Sequence, residues 1–172
     1  MKTPTLKTPR VTLRPLQVSD AEEIYANWTT DPDVSKYTRW NTHESLGVTV
    51  DWLESINPDD EKSYEFGFVY NETSRLFGSG GLYWNDKHDM FELGYVLMKA
   101  AWGKGLATEA ARAICDFGIS TLQQRQLFAC RAKENLASGK VLEKLGFIYH
   151  GDGTFNSYDG KTIFEGREYF LG

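Results

Sequence analysis

The chain has little of what metal-binding and disulfide-bonded proteins are built from. Its 172 residues include only two cysteines, Cys115 and Cys130, and only three histidines. The cysteines form no CxxC pair and the histidines stand far apart, so no zinc-ligand spacing is present. We expect no metal, and two buried free thiols in a reducing compartment.

Long apolar runs and an excess of positive charge are also missing. No run approaches the length of a membrane-spanning helix, and the first ten residues carry prolines without the apolar core of a signal peptide. Lys and Arg number 19 against 24 Asp and Glu, giving a net charge of −5. This balance disfavours a broad nucleic-acid surface. We therefore expect a cytoplasmic protein that binds neither nucleic acid nor membrane.

The residues that are present predict one α/β domain over positions 1–172. Hydrophobic residues make up 41% and aromatic residues 14%, which excludes a disordered chain. Two-residue alternation and helical spacing predict a mixture of strands and helices. The predicted strands span 10–16, 63–70, 76–84, 91–98, 126–132, 147–158 and 161–171, and the predicted helices span about 21–28, 42–56, 106–117 and 135–145.

The most informative stretch is Phe91–Gly118, which predicts a strand, a glycine-rich turn and a helix. Two glycines, Gly103 and Gly105, precede an amphipathic helix. The first N–H groups of such a helix have no intrahelical partner, and the helix dipole is positive at this end. Both properties favour a bound phosphate. No Gly-Lys-Ser/Thr closes the turn as in a P-loop, and the glycine pattern of a dinucleotide site is incomplete.

The segment Trp102–Thr108, WGKGLAT, resembles the pyrophosphate-binding motif Gln/Arg-x-x-Gly-x-Gly/Ala of GNAT-family N-acetyltransferases. Gly105 and Ala107 match that motif, whereas Trp102 replaces its usual first residue. The resemblance implies the GNAT fold, a mixed and mostly antiparallel sheet flanked by helices. In that fold a splayed pair of parallel strands binds acetyl-CoA.

Further residues extend the resemblance over most of the chain. The string Glu92–Tyr95 precedes the loop, and Asn135, Ser138 and Val141–Phe147 follow it, as in the branch that includes the ribosomal-protein N-terminal acetyltransferases. The residues that this resemblance assigns to the cofactor are Tyr95, Val96 and Leu97 through their backbone, with Gly103, Lys104, Gly105, Leu106, Ala107, Thr108 and Asn135. Lys104 could instead be a solvated loop lysine, and Asn135 a plain helix N-cap.

Two residues are candidates for the chemistry of acetyl transfer. Glu92, a carboxylate within an apolar strand, is the candidate base, directly or through water; a buried ion pair or hydrogen bond is the alternative. By resemblance, Ser138 donates a proton or a hydrogen bond to the cofactor sulfur, although it could be an ordinary first-turn serine. Leu142 stands where many family members have a tyrosine.

The resemblance implies a primary amine as acceptor, on a protein N-terminus or a small molecule, acetylated directly in a ternary complex. At pH 7, deprotonating a lysine-type amine with a pKa of ~10.4 costs about 4.6 kcal/mol. Deprotonating an α-amine with a pKa of ~8 costs about 1.4 kcal/mol. Tyr37, Trp40 and Trp84 could line the acceptor pocket or simply belong to the core. A non-catalytic CoA sensor and a nucleotide-phosphate binder are the alternative functions, and exposed strand edges allow a homodimer.

Overall fold

Eight strands form one sheet in the order β1-β2-β3-β4-β5-β6-β8-β7. The structure, a computed structural model, describes residues 1–172. The strands are β1 (Leu6–Lys7), β2 (Val11–Pro15), β3 (Ser63–Tyr70), β4 (Leu76–Asn85), β5 (Met90–Leu97), β6 (Leu127–Ala132), β7 (Ile148–Asn156) and β8 (Ile163–Leu171). The helices are α1 (Ala21–Ile24), α2 (Pro32–Ser35), α3 (Leu46–Ser55), α4 (Leu106–Asp116) and α5 (Leu136–Leu145), and π-helical turns extend α1 and α4.

The predicted mixed, mostly antiparallel sheet is confirmed. Strands β2 to β5 form an antiparallel meander, and β8 lies between β6 and β7. Only β5 and β6 run parallel, joined by the crossover that contains α4. Their ladder has a single bridge, Glu92–Phe128, so the two strands separate toward their carboxyl ends.

The helices cover both faces of the sheet, because the central strands carry apolar residues on both faces. One face packs beneath α4 and α5 in a cluster that includes Leu93, Ile114 and Leu142. The other face packs beneath α1 and α3 in a smaller cluster that includes Ile24 and Leu53. No helix is both long enough and apolar enough to span a bilayer.

Candidate active site

The separation of β5 from β6 leaves backbone groups available between them. Met98 donates its N–H to Phe77 on β4 at 2.8 Å. Since the backbone groups of successive strand residues point to alternate sides, those of Tyr95 and Leu97 point toward β6. The β5–β6 ladder does not reach them. An extended ligand could therefore form backbone hydrogen bonds with Tyr95 and Leu97, as an added strand would.

The glycine turn at the end of β5 presents the start of α4. Gly105 is the N-cap residue, with φ of 74°, and no side chain caps the helix. Glu109 is the first residue whose N–H reaches back into the turn, to the Gly105 carbonyl at 3.1 Å. The N–H groups of Leu106, Ala107 and Thr108 therefore lack intrahelical acceptors. No side-chain cap occupies these groups, so they could hold a phosphate such as the pyrophosphate of CoA.

An arginine that the sequence did not single out holds this turn. Arg10 donates from Nε to Glu109 Oε1 at 2.7 Å and from Nη1 to the Lys104 carbonyl at 3.0 Å. Partial burial acts to raise the pKa of Glu109, but hydrogen bonds from Thr8 and Arg10 outweigh it and lower that pKa. Lys104 itself is exposed. The residue before β2 thus fixes the turn from outside the motif.

The first residues of α5 face the same side of the sheet as α4. Asn135 is the N-cap of α5 and accepts a hydrogen bond from the Ser138 N–H at 3.3 Å, while its Nδ2 has no protein acceptor. The Ser138 hydroxyl bonds to no backbone group and lies 3.0 Å from the Tyr95 hydroxyl. Burial raises the pKa of Tyr95 to about 12, partly offset by that hydrogen bond. The sequence assigned only the backbone of Tyr95 to the site.

Glu92 lies on the opposite face of the sheet and is surrounded by donors. Its Oε1 accepts from Arg39 Nη2 at 3.3 Å and from Cys130 Sγ at 3.2 Å, and its Oε2 accepts from Asn85 Nδ2 at 3.4 Å. Its side chain is 16% exposed. The ion pair considered for this residue is therefore present. One acceptor position of Oε2 stays open, because each carboxylate oxygen can accept about two hydrogen bonds.

A second carboxylate shares this face and was not predicted. Glu65 on β3 accepts a hydrogen bond from the Tyr83 hydroxyl on β4. Tyr83 is also the cross-strand partner of Glu92. Burial raises the pKa of Glu65 to about 7, with the Tyr83 hydrogen bond acting in the opposite direction.

The wall of this face is formed by the segment after α2 and by the β7–β8 turn. Tyr158 donates its backbone N–H to the Arg39 carbonyl at 2.7 Å, and Asn41 Nδ2 donates to Asp159 at 2.6 Å. A cavity of about 380 Å³ adjoins Glu92. Its lining includes Arg39, Asn85, His88, Cys130, Phe155 and Glu168. That volume lies within the usual range for small-molecule sites.

The three aromatic residues considered for the acceptor pocket have different places. Trp84 packs edge-to-face on Phe91, with ring centroids 5.1 Å apart, beside the α4 cluster and on the face opposite Glu92. Trp40 packs beside the α1–α3 cluster. Tyr37 lies half-buried beside Lys36. Arg39, which lies between Tyr37 and Trp40 in the chain and directly precedes Trp40, is the residue of this segment that reaches Glu92.

The geometry therefore describes a sheet in which two parallel strands separate, with an uncapped helix start on one face and a carboxylate cluster on the other. The family model "Acetyltransferase (GNAT) domain" matches residues 10–148. This chain belongs to the GNAT acetyltransferase family, as its sequence motifs indicated.

Individual relatives agree with this assignment. The chain is 31% identical over 150 residues to the "uncharacterized N-acetyltransferase p20" of Bacillus licheniformis, covering 86% of this chain and 84% of that protein. Its fold is similar to that of a GNAT-family acetyltransferase from Bacillus anthracis, with a TM-score of 0.84, 23% identity and 98% of each chain covered. It is also similar to that of the ribosomal-protein-S5-alanine acetyltransferase from Vibrio fischeri, with a TM-score of 0.81, 16% identity and 98% of this chain and 96% of that chain covered.

Proposed function

We propose that this protein transfers an acetyl group from acetyl-CoA directly to a primary amine in a ternary complex. The observation that carries this proposal is the β5–β6 gap. It connects the uncapped start of α4 on one side with the face that carries Glu92 on the other. A ligand that passes through such a gap can be held by its phosphates and react at its far end.

The cofactor side is assigned from the geometry of the gap and the turn. Residues 103–108 hold the pyrophosphate through backbone N–H groups, and Tyr95 and Leu97 form the strand edge beside the pantetheine, whereas the backbone groups of Val96, between them, point toward β4. Asn135 Nδ2 is free to donate to the same ligand. Acetyl-CoA supplies a thioester, whose carbonyl carbon is the electrophile.

Ser138 and Tyr95 provide hydroxyl groups on the sulfur side. A thiol pKa near ~8.5 makes the thiolate of CoA a fairly good leaving group at neutral pH. A phenol with a pKa of about 12 is a much weaker acid than that thiol. Tyr95 is therefore not the proton source for the sulfur. When its hydroxyl acts as the donor to Ser138, the Ser138 hydroxyl is free to donate to the sulfur.

The acceptor side belongs to Glu92 and the adjoining cavity. The open position on Glu92 Oε2 can accept a hydrogen bond from an amine or from a water molecule next to it. The amine belongs to a protein or peptide N-terminus or to a small molecule. The enzyme is a single domain in our proposal. The free thiols of Cys115 and Cys130 agree with a cytoplasmic location, and the exposed edge strand β7 is compatible with a homodimer.

Two measurements test this proposal. Thermal unfolding with acetyl-CoA, CoA, ATP and NAD at equal concentrations should show a shift for the CoA compounds; a ligand at about 100 times its Kd adds roughly 2.7 kcal/mol. Thiol release from acetyl-CoA should then require an amine, tested with peptides of different N-termini and with mono- and polyamines. Stabilisation by ATP or NAD but not by CoA would contradict the proposal, as would CoA binding without turnover on any amine.

A further inference from the structure

We propose that Glu65, acting through the Tyr83 hydroxyl, accepts the proton of the acceptor amine. This inference rests on the proposed function and assigns the base to a residue other than Glu92. It places the hydroxyl oxygen of Tyr83 against the amine and the carboxylate of Glu65 behind it.

The sheet places these groups in a row across three neighbouring strands. Glu65 on β3 is opposite Gly81 on β4, which is opposite Gly94 on β5. A Cβ added at Gly94 would lie 3.0 Å from Cε2 of the Tyr83 ring. The ring therefore lies over Gly94, and its hydroxyl reaches Glu65. Gly94 directly precedes Tyr95, where β5 has left β6 and where the acetyl group is expected.

The charges around Glu65 leave it without a cation. The titratable groups that interact with it directly are Tyr83 and Tyr158, and the charged groups Arg39 and Glu92 lie beyond Tyr158. Arg39, the only cation among them, is paired with Glu92 and contacts Cys130. Glu65 makes no ion pair and accepts only the Tyr83 hydroxyl. A bound ammonium would supply the missing countercharge.

The two carboxylates differ in how free they are to take a proton. Glu92 already accepts hydrogen bonds from three donors, one of them a guanidinium. Glu65 accepts one, and burial favours its protonated form. Both Glu65 and Tyr83 keep partial solvent exposure, so the pair can be reached from the acceptor face.

The proton balance is complete without another reactant. The ammonium passes one proton to the Tyr83 oxygen while Tyr83 passes its own proton to Glu65, so Tyr83 stays neutral. The amine lone pair forms the C–N bond, and the C–S bond breaks with its electron pair on sulfur. The second proton leaves the nitrogen and ends on the sulfur. Glu65 then loses its proton to solvent, giving amide, thiol and one released proton.

The test is the pH profile of kcat/KM for the amine in E65Q and Y83F. The glutamine keeps the shape and an acceptor for Tyr83 but cannot take the proton. General base catalysis typically contributes about 10²–10⁴-fold, so a loss of that order is expected near pH 7. The loss should shrink roughly tenfold per pH unit as free amine accumulates. The matched control is E61Q, at an exposed glutamate paired with the N-terminus, which should keep the wild-type profile.

The outcomes separate this inference from the proposed function. Acetyl-CoA affinity should be unchanged in E65Q, which also shows that the variant is folded. A loss that is equal at every pH would indicate a structural role and overturn the inference, as would wild-type activity in E65Q. A pH-dependent loss in E92Q together with a normal profile in E65Q would return the role to Glu92. The absence of amine acetylation by the wild type would instead overturn the proposed function itself.

Discussion

Replacing Glu65 by glutamine should change how the stability of this protein depends on pH. Burial raises the pKa of this carboxyl from 4.5 to about 7. In the folded state the group therefore holds its proton over a pH range in which the unfolded chain has lost it. Because the folded state binds more protons in this range, the free energy of unfolding falls as pH rises.

The size of the effect follows from the shift. One pKa unit corresponds to 1.36 kcal/mol, so a rise from 4.5 to about 7 corresponds to roughly 3 kcal/mol. The wild type should lose this amount relative to E65Q between about pH 4.5 and about pH 7, with little further change above. Part of the side chain remains exposed, so solvent screening makes this an upper value.

Urea unfolding of both proteins across this pH range measures the difference directly. The glutamine amide adds a constant offset, because it does not titrate, so only the slope of the difference carries information. Other titrating groups cancel in the subtraction. A difference that does not vary with pH, with equal m-values, would refute the reasoning that burial dominates at Glu65.

Two further predictions concern the cofactor side. Gly105→Ala should weaken CoA binding, because it adds a side chain at a left-handed N-cap with φ of 74°. The control is Gly160→Ala in the β7–β8 turn, where φ is a similar 72°. Both variants should lose about 1 kcal/mol of stability, but Gly160→Ala should leave the CoA Kd unchanged. Equal CoA affinity in the two variants by calorimetry would contradict the assignment. Ser138→Ala and Tyr95→Phe should each lower kcat by roughly ten- to hundredfold with little change in CoA affinity, and the double variant should be no slower than the slower single variant. Additive losses would show that the two hydroxyls do not act as a unit.

Local sequence patterns were sufficient for the elements of the cofactor side. The apolar run of β5, the two glycines and the amphipathic spacing of α4 are contiguous, so the strand, the turn and the helix were predicted from neighbouring residues. The helix predicted from 42 begins instead at Leu46. The Thr42 hydroxyl lies 2.6 Å from the Ser35 hydroxyl, a contact that holds this segment against α2.

Contacts between distant residues could not be predicted in this way. Arg10 and Glu109 are 99 positions apart, and no periodicity relates them. Alternation along β3 correctly separated Tyr64 and Phe66 from Glu65, but such alternation normally implies a solvent-facing residue. The Tyr83 ring and the β7–β8 turn cover that face, which turns an apparent surface glutamate into a group of the acceptor site.

Direct transfer is the central claim, and Cys130 offers its sharpest test. Its sulfur lies 3.2 Å from Glu92, where an acetylated cysteine could serve as an intermediate. Burial, with the nearby Glu92 charge, raises the pKa of this thiol to about 12, which leaves it un-ionised and a poor nucleophile.

The measurement is the intact mass of the protein after incubation with acetyl-CoA alone, compared with the products formed once an amine is added. We predict an unmodified protein, no burst of thiol without amine, and one acetyl group on the amine for each thiol released. An acetyl group on Cys130, formed without amine and lost when amine is added, would contradict direct transfer.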